Sequence, residues 1–269
     1  LLNEKGFGSG DSLPTLSELT EQYGSTDRPW ASAAANLSIS SSAQQLKFAV
    51  PFQYGFDGIA PNAVKNTGND ITATNTMGFD CSSATASGSI AFRRAINAVS
   101  NPDEIDINML STPGIIHSLH PSVTNHAISK MESRADAFYV MDGSAWAATV
   151  AAAVDNVKTL DTNYVATYFP WVKIDDPDTN EGVWVPPSVV IPGVIAFTDS
   201  VAHEWFAPAG LNRGGLSSVR MAKKKLTHTD RDRLYDGRVN PIATFPGQGV
   251  VVFGQKTLQA KPSALDRIN

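Results

Sequence analysis

Near the start of the chain, Gly10-Asp11-Ser12-Leu13 has the order in which one group of serine esterases places its nucleophile. A serine hydroxyl attacks only when a histidine takes its proton and a carboxylate orients that histidine. GDSL-like esterases supply both as an Asp-x-x-His pair near the C-terminus. The nearest spacing here is Asp199-x-x-x-His203, one residue too long and inside an expected helix. Ser12 also follows the glycine-rich stretch from Gly6 to Gly10, where a hydrolase has a rigid strand. Four residues without their partners make no catalytic site, so an α/β hydrolase stands only as the alternative.

His117, His120 and His126 cluster within a short stretch, and histidine is a common metal ligand. Their spacing matches no familiar site, no Cys or Glu completes it, and Pro121 interrupts it. They read as loop and helix-start residues, and no metal is expected. Asp230-Arg231-Asp232-Arg233 alternates sign and reads as a salt-bridged surface or a contact with a neighbouring subunit. Lys223-Lys224-Lys225 reads as a solvated helix face. Ser111-Thr112-Pro113-Gly114 and Asp142-Gly143-Ser144 are expected as loops after strands, where open α/β sheets often bind ligands. Neither is a Gly-x-Gly-x-x-Gly or Walker motif. A ligand-binding domain is therefore a further alternative, and no cofactor is expected.

Those groups need a scaffold, and composition bounds it. A formal net charge of -5 gives no basic footprint for nucleic acid. The lone Cys81 excludes an intramolecular disulfide, and no apolar run approaches the ~20 residues of a membrane-spanning helix. Charged residues make up only 17% of the chain, which suits a surface that packs against other protein.

Residues 1–45 read as irregular around one helix over 13–23, or as the end of an inserted surface domain; a core follows over 46–269. Residues 46–50 alternate as a strand, 52–58 form a glycine-punctuated turn, and 61–78 a polar loop. Phe92, Ala95, Ile96 and Val99 predict a helix over 89–100, and a strand over 105–110 follows. A helix over 121–134 leads to a strand over 137–141. Trp146, Val150, Ala153, Val154 and Val157 share one helical face before a strand over 164–169. This alternation predicts an α/β fold, a mostly parallel or mixed sheet flanked by helices.

A β-hairpin is added by residues 171–174 and 183–185 around a loop dense in Asp, Pro, Asn and Gly. Pro186-Pro187-Ser188 then opens a helix with Val190, Val194, Phe197 and Val201 as its inner face, and Pro192 is expected to distort its first turn. A helix over 229–235 and a strand over 248–255 complete the chain.

The last hundred residues resemble the phage tail sheath family. Pro170-Trp171-Val172 looks like its aromatic strand, and Pro186, Pro187 and Ser188 like its helix start. Pro192-Gly193-Val194-Ile195-Ala196 and Asp199 are similar to its next helix and that helix's polar end. Trp205, Ala207, Pro208, Ala209 and Gly210 stand in its aromatic-x-Ala-Pro-Ala-Gly signature. Gly249 to Thr257, with Gly254 and Lys256, looks like its C-terminal strand, and Asp266-Arg267-Ile268-Asn269 like the tetrapeptide after it. Phe52 to Gly58 is a weaker match. Pro192 and Phe197 depart from the family's usual Ala and Arg.

The resemblance implies a structural subunit that polymerises helically around a tail tube above a baseplate. Contraction would drive that tube through a host envelope. It implies no enzyme activity, no nucleic acid, no membrane insertion, assembly in the host cytoplasm and residence in the virion. The sheath of a bacteriocin or type VI secretion system fits equally. In this family extended terminal arms add strands to a neighbour's sheet. The chain is expected to be a truncated fragment without those arms and the C-terminal helices, and so to stay monomeric by itself.

Overall fold

Strands that are apolar almost throughout must be covered on both faces. The structure, a computed structural model, describes residues 70–268 apart from 177–180, 204 and 262. Among these residues the order is α1 (Ser87–Ala98), β1 (Met109–Ile116), α2 (Pro121–Arg134), β2 (Phe138–Asp142), α3 (Val150–Val157) and β3 (Val165–Phe169). Then come β4 (Val172–Asp175), β5 (Gly182–Val185), a 3-10 turn (Pro187–Val189) and α4 (Ile191–Val201). β6 (Val219–Ala222), α5 (His228–Asp236), β7 (Asn240–Phe245) and β8 (Gly249–Val252) follow.

The main sheet has the order β1-β2-β3-β7-β8. Its first four strands run parallel, and β8 returns antiparallel to β7. Alternation splits the side chains between two cores. Tyr139, Met141, Val165 and Phe169 face Val123, Ala127 and Met131 of α2 and Val150, Ala153 and Val157 of α3. Val140, Ala166, Tyr168 and Ile242 face the other way, onto Ile191 and Val194 of α4 and Val172 of β4. Each large apolar side chain so buried contributes about 1.5–3 kcal/mol. A second, antiparallel sheet, β5-β4-β6, lies against this latter core through Val172, Ile174, Val185, Val219 and Ala222.

Local chemistry sets the boundaries. Pro121 begins α2, where its missing N–H costs nothing, and left-handed Ala135 ends it. Thr149 accepts a hydrogen bond from the Ala152 N–H and so starts α3. Thr227 and Asp230 form a reciprocal capping box on α5.

Both flanks of the main sheet are modified. The outer edge of β8 is covered by the segment after Gly210: Gly210 and Leu216 N–H groups donate to Val252 and Val250 carbonyls, and the Val252 N–H donates to Gly214. Outer strand β1 carries Pro113, a register irregularity between Ser111 and Ile116, and Gly114 at φ +89°.

The α/β class, the flanking helices and the hairpin agree with expectation. Several details do not. Ser111 to Gly114 lie inside β1, because the strand continues past its proline on the side where no strand pairs with it among the described residues. Trp146 precedes α3, whose Thr149 cap fixes a later start. The helix expected from Pro186 is split into the 3-10 turn and α4, which begins at Ile191 with Pro192 in its first turn, and Phe197 and Val201 are exposed while Thr198 faces inward. Lys223 to Lys225 sit between β6 and α5, outside any helix. The expectations for residues 1–69, including Ser12 and the 45/46 boundary, lie outside the described residues.

Candidate functional site

The C-terminal ends of parallel strands are the usual ligand crevice, and here that place is filled from within. Asp142 ends β2 with its carboxylate buried. It accepts the Ser188 N–H at 3.0 Å on Oδ1 and the Ser188 hydroxyl at 2.5 Å on Oδ2. The Ser188 carbonyl accepts from the Ser111 hydroxyl at 2.9 Å. Burial pushes the Asp142 carboxyl up to about 7, against the pull of the two Ser188 hydrogen bonds. Pro186 and Pro187 are buried beside this lock, so the Pro-Pro-Ser motif joins the hairpin to the main sheet from inside.

The C-terminal motif is also an internal joint. Buried Asn240 holds the Lys256 backbone from both sides: its amide donates to the Lys256 carbonyl at 2.8 Å, and its oxygen accepts the Lys256 N–H at 2.7 Å. Gly254 lies so close that an added Cβ would stand 2.8 Å from Pro241 Cδ. Lys256 Nζ sits 4.0 Å from the Tyr235 ring centroid and donates to the Tyr235 carbonyl at 3.0 Å. Partial burial lowers the pKa of this amine. Arg267 reaches the same ring and donates to its hydroxyl, while the Asp266 carbonyl accepts the Thr257 N–H at 3.0 Å. Ile268 is buried in the core shared with α4. Asn269 lies outside the described residues.

The remaining motif residues are different. Asp199 is exposed on α4, on the side away from exposed Phe197 and Val201. Trp205 is 66% exposed, its indole stacked 4.3 Å from Phe206 and 5.5 Å from His203. Leu211 is also exposed. Behind them Pro208 is buried, the Ala207 carbonyl accepts from Arg213, Ala209 is half-buried, and Gly210 turns at φ +90°. Large apolar side chains are thus exposed at two places, Phe197 beside Leu211 and Trp205 stacked between His203 and Phe206.

The three histidines do not converge. His120 is buried, accepting the Ile116 N–H at 3.0 Å and bonding the Thr72 carbonyl through Nε2. His117 bonds Thr124, and His126 bonds Asn97. No cluster able to hold a metal exists among the described residues. Asp230 and Asp232 pair with Lys224 and His228, as a salt-bridged surface would. No helix of the described residues is long and apolar enough to cross a membrane.

Sequence patterns missed three devices. Arg134, fully buried, donates to the Val99 and Ile105 carbonyls and pairs with Asp136 at 2.7 Å. Arg238 ties together the carbonyls of Lys158, Leu160 and Leu258. Lys223 lies 3.8 Å from the centroid of Trp146, which also packs on Trp171 and Trp184. Each joins residues far apart in sequence, so no local spacing signals it.

Residues 67–258 match the phage tail sheath protein central domain. Over 124 residues the chain is 38% identical to a tail sheath protein of Vibrio phage KVP40, covering 44% of this chain and 17% of that protein. Over 86 residues it is 42% identical to the tail sheath protein of Enterobacteria phage T4, covering 32% of this chain and 13% of that protein. The chain thus spans under a fifth of these relatives. A chain in a cryo-EM structure of the anti-feeding prophage baseplate superposes with TM-score 0.53 at 22% identity, over 69% of this chain and 46% of that one. One in the PVC sheath complex of an extracellular contractile injection system, in its contracted state, gives 0.52 at 24% identity, over 64% and 46%. The two superpositions speak to the fold alone. With most of its length matched to that central domain, the chain belongs to the phage tail sheath protein family.

Proposed function

We propose that the chain is the core of a structural subunit that polymerises around a tail tube and contracts by subunit rearrangement. Its partners are other copies of itself, the tube and a baseplate; its place is the virion tail after assembly in the host cytoplasm. The observation that carries this is the pairing of a filled strand-end crevice with exposed large apolar side chains, Phe197, Val201, Trp205 and Leu211. The first suits a fold without substrate, and the second suits association. Heterologous contacts of one patch with a different patch generate helices, and rigid-body shifts at such contacts change their pitch. The curated relatives are phage proteins, which favours a virion over a bacteriocin or secretion sheath.

Among the motif residues, Asp199, Trp205 and the turn from Ala207 to Gly210 are assigned to contacts with neighbours. Pro186, Pro187, Ser188, Gly254, Lys256, Asp266 and Arg267 are assigned to holding the subunit's shape. No observation favours the hydrolase: Asp199 is exposed, and His203 lies beyond the helix end, stacked on Trp205. Electron microscopy of the intact gene product tests the reading. Tubes or rings are expected; a solitary particle with Ser12-dependent turnover of p-nitrophenyl esters would overturn it.

A further inference from the structure

The two ends of the parallel strands carry opposite chemistry. At the N-terminal end, before β1, the loop after α1 exposes Asp103, Glu104, Ile105 and Asp106. It is a stiff loop, because the buried Arg134 guanidinium holds the Val99 and Ile105 carbonyls at 2.8 and 2.7 Å. No cation among the described residues pairs with its three carboxylates. At the C-terminal end, the Lys223 N–H donates to Trp171, just past β3. There Lys223 lies over exposed Trp146, and exposed Met221 and Lys225 flank it two residues to either side in the chain. Neighbouring acids are already engaged, Asp230 by Lys224 and Asp175 by Arg220. Lys223 and Lys225 have no carboxylate partner among the described residues. The five residues of β3 separate the two ends by on the order of 15 Å.

We infer that the Asp103–Asp106 loop of one copy docks on the Trp146, Met221, Lys223 and Lys225 face of the next. The match is double: three carboxylates meet two ammonium groups that have no carboxylate partner among the described residues, Lys223 being held by the Trp146 carbonyl and ring, and Ile105 meets the exposed indole and thioether. Because the two surfaces differ, the contact is heterologous, the kind that on repetition builds rings or helical filaments. Desolvated charge pairs at such a contact chiefly select register and partner. The inference rests on the self-assembly proposed above and names the surfaces that carry it.

Charge reversal in the intact gene product tests it, read as the lowest concentration that yields tubes by sedimentation and microscopy. Lys225→Glu alone, and Asp103→Lys with Glu104→Lys, should each raise that concentration about tenfold or more, and all three reversals on one chain should return it to within about threefold of wild type. These side chains are exposed and make no internal bond, so thermal melting should be unchanged. Wild-type assembly should also weaken as NaCl rises from about 50 to about 500 mM, a measurement that needs no variant. Tubes unaffected by reversal and by salt, or a combined variant no better than either parent, would overturn the contact alone. Failure of the wild-type product to assemble at all would overturn the self-assembly reading itself.

Discussion

Ser188 gives the Asp142 carboxylate two hydrogen bonds, at 3.0 Å from its backbone N–H and at 2.5 Å from its hydroxyl, 46 positions apart in the chain. The carboxyl is buried, and its pKa stands at about 7 in the fold. An unfolded aspartate titrates near ~4. The fold thus favours the protonated form, whose contribution is fully present below about pH 4 and is lost as pH rises through about 7. Asp142→Asn cannot titrate. Wild-type stability relative to this variant should fall across that window, by at most ~1.4 kcal/mol per pH unit. Urea midpoints at about pH 5 and about pH 8 measure it; a constant difference would contradict the buried, titrating carboxyl.

Asn240→Ala leaves the Lys256 N–H and carbonyl without their partners in a half-buried place. A loss of about 2–4 kcal/mol is expected in urea unfolding, since both groups bear a desolvation cost. Asn240→Asp should recover part of it, because one oxygen still accepts the Lys256 N–H. Equal losses for both variants would mean that accepting the Lys256 N–H contributes nothing.

Two glycines should fail for different reasons. At Gly254 an added methyl meets Pro241 and Asn240 at 2.8 and 2.9 Å, so Gly254→Ala should cost about 1–3 kcal/mol through displaced neighbours. At Gly210 nothing lies within 4 Å, but φ is +90°, so Gly210→Ala should cost about 1–2 kcal/mol through backbone strain alone. Suppressor substitutions separate the cases: Pro241→Ala should relieve the first and leave the second untouched.

Phe197→Ser with Trp205→Ser removes two large exposed side chains. Unfolding should shift by less than about 0.5 kcal/mol, as at other solvent-facing positions. Tube formation by the intact gene product should nevertheless decline strongly. Normal tubes would remove these two side chains from the assembly surface.

Some of this was written locally in the sequence. Proline at the start of α2 and an apolar period through Met131 gave its bounds directly. β2 and β3 showed as continuous apolar runs. Other features depended on partners far along the chain. β7 opens with Asn240-Pro241, a pair that reads as a turn until Asn240 is seen clasping Lys256. β6 is four residues, Val-Arg-Met-Ala, and only pairing with β4 makes it a strand. Phe197 and Val201 fit the inner face of α4 by spacing, yet that face runs through Ile191, Val194 and Thr198 and leaves both outside it. The motif residues were visible as a set, but spacing does not tell a buried joint such as Ser188 from an exposed contact such as Trp205.

The fastened flanks of the main sheet have a consequence for the crowded cell in which many copies are made at once. Bare strand edges zip together and grow into ribbons. Here one flank is laced shut by the stretch after Gly210, and the other is broken by Pro113 and its kink. Newly made subunits should therefore stay apart through this sheet, which leaves more specific encounters to decide when they join.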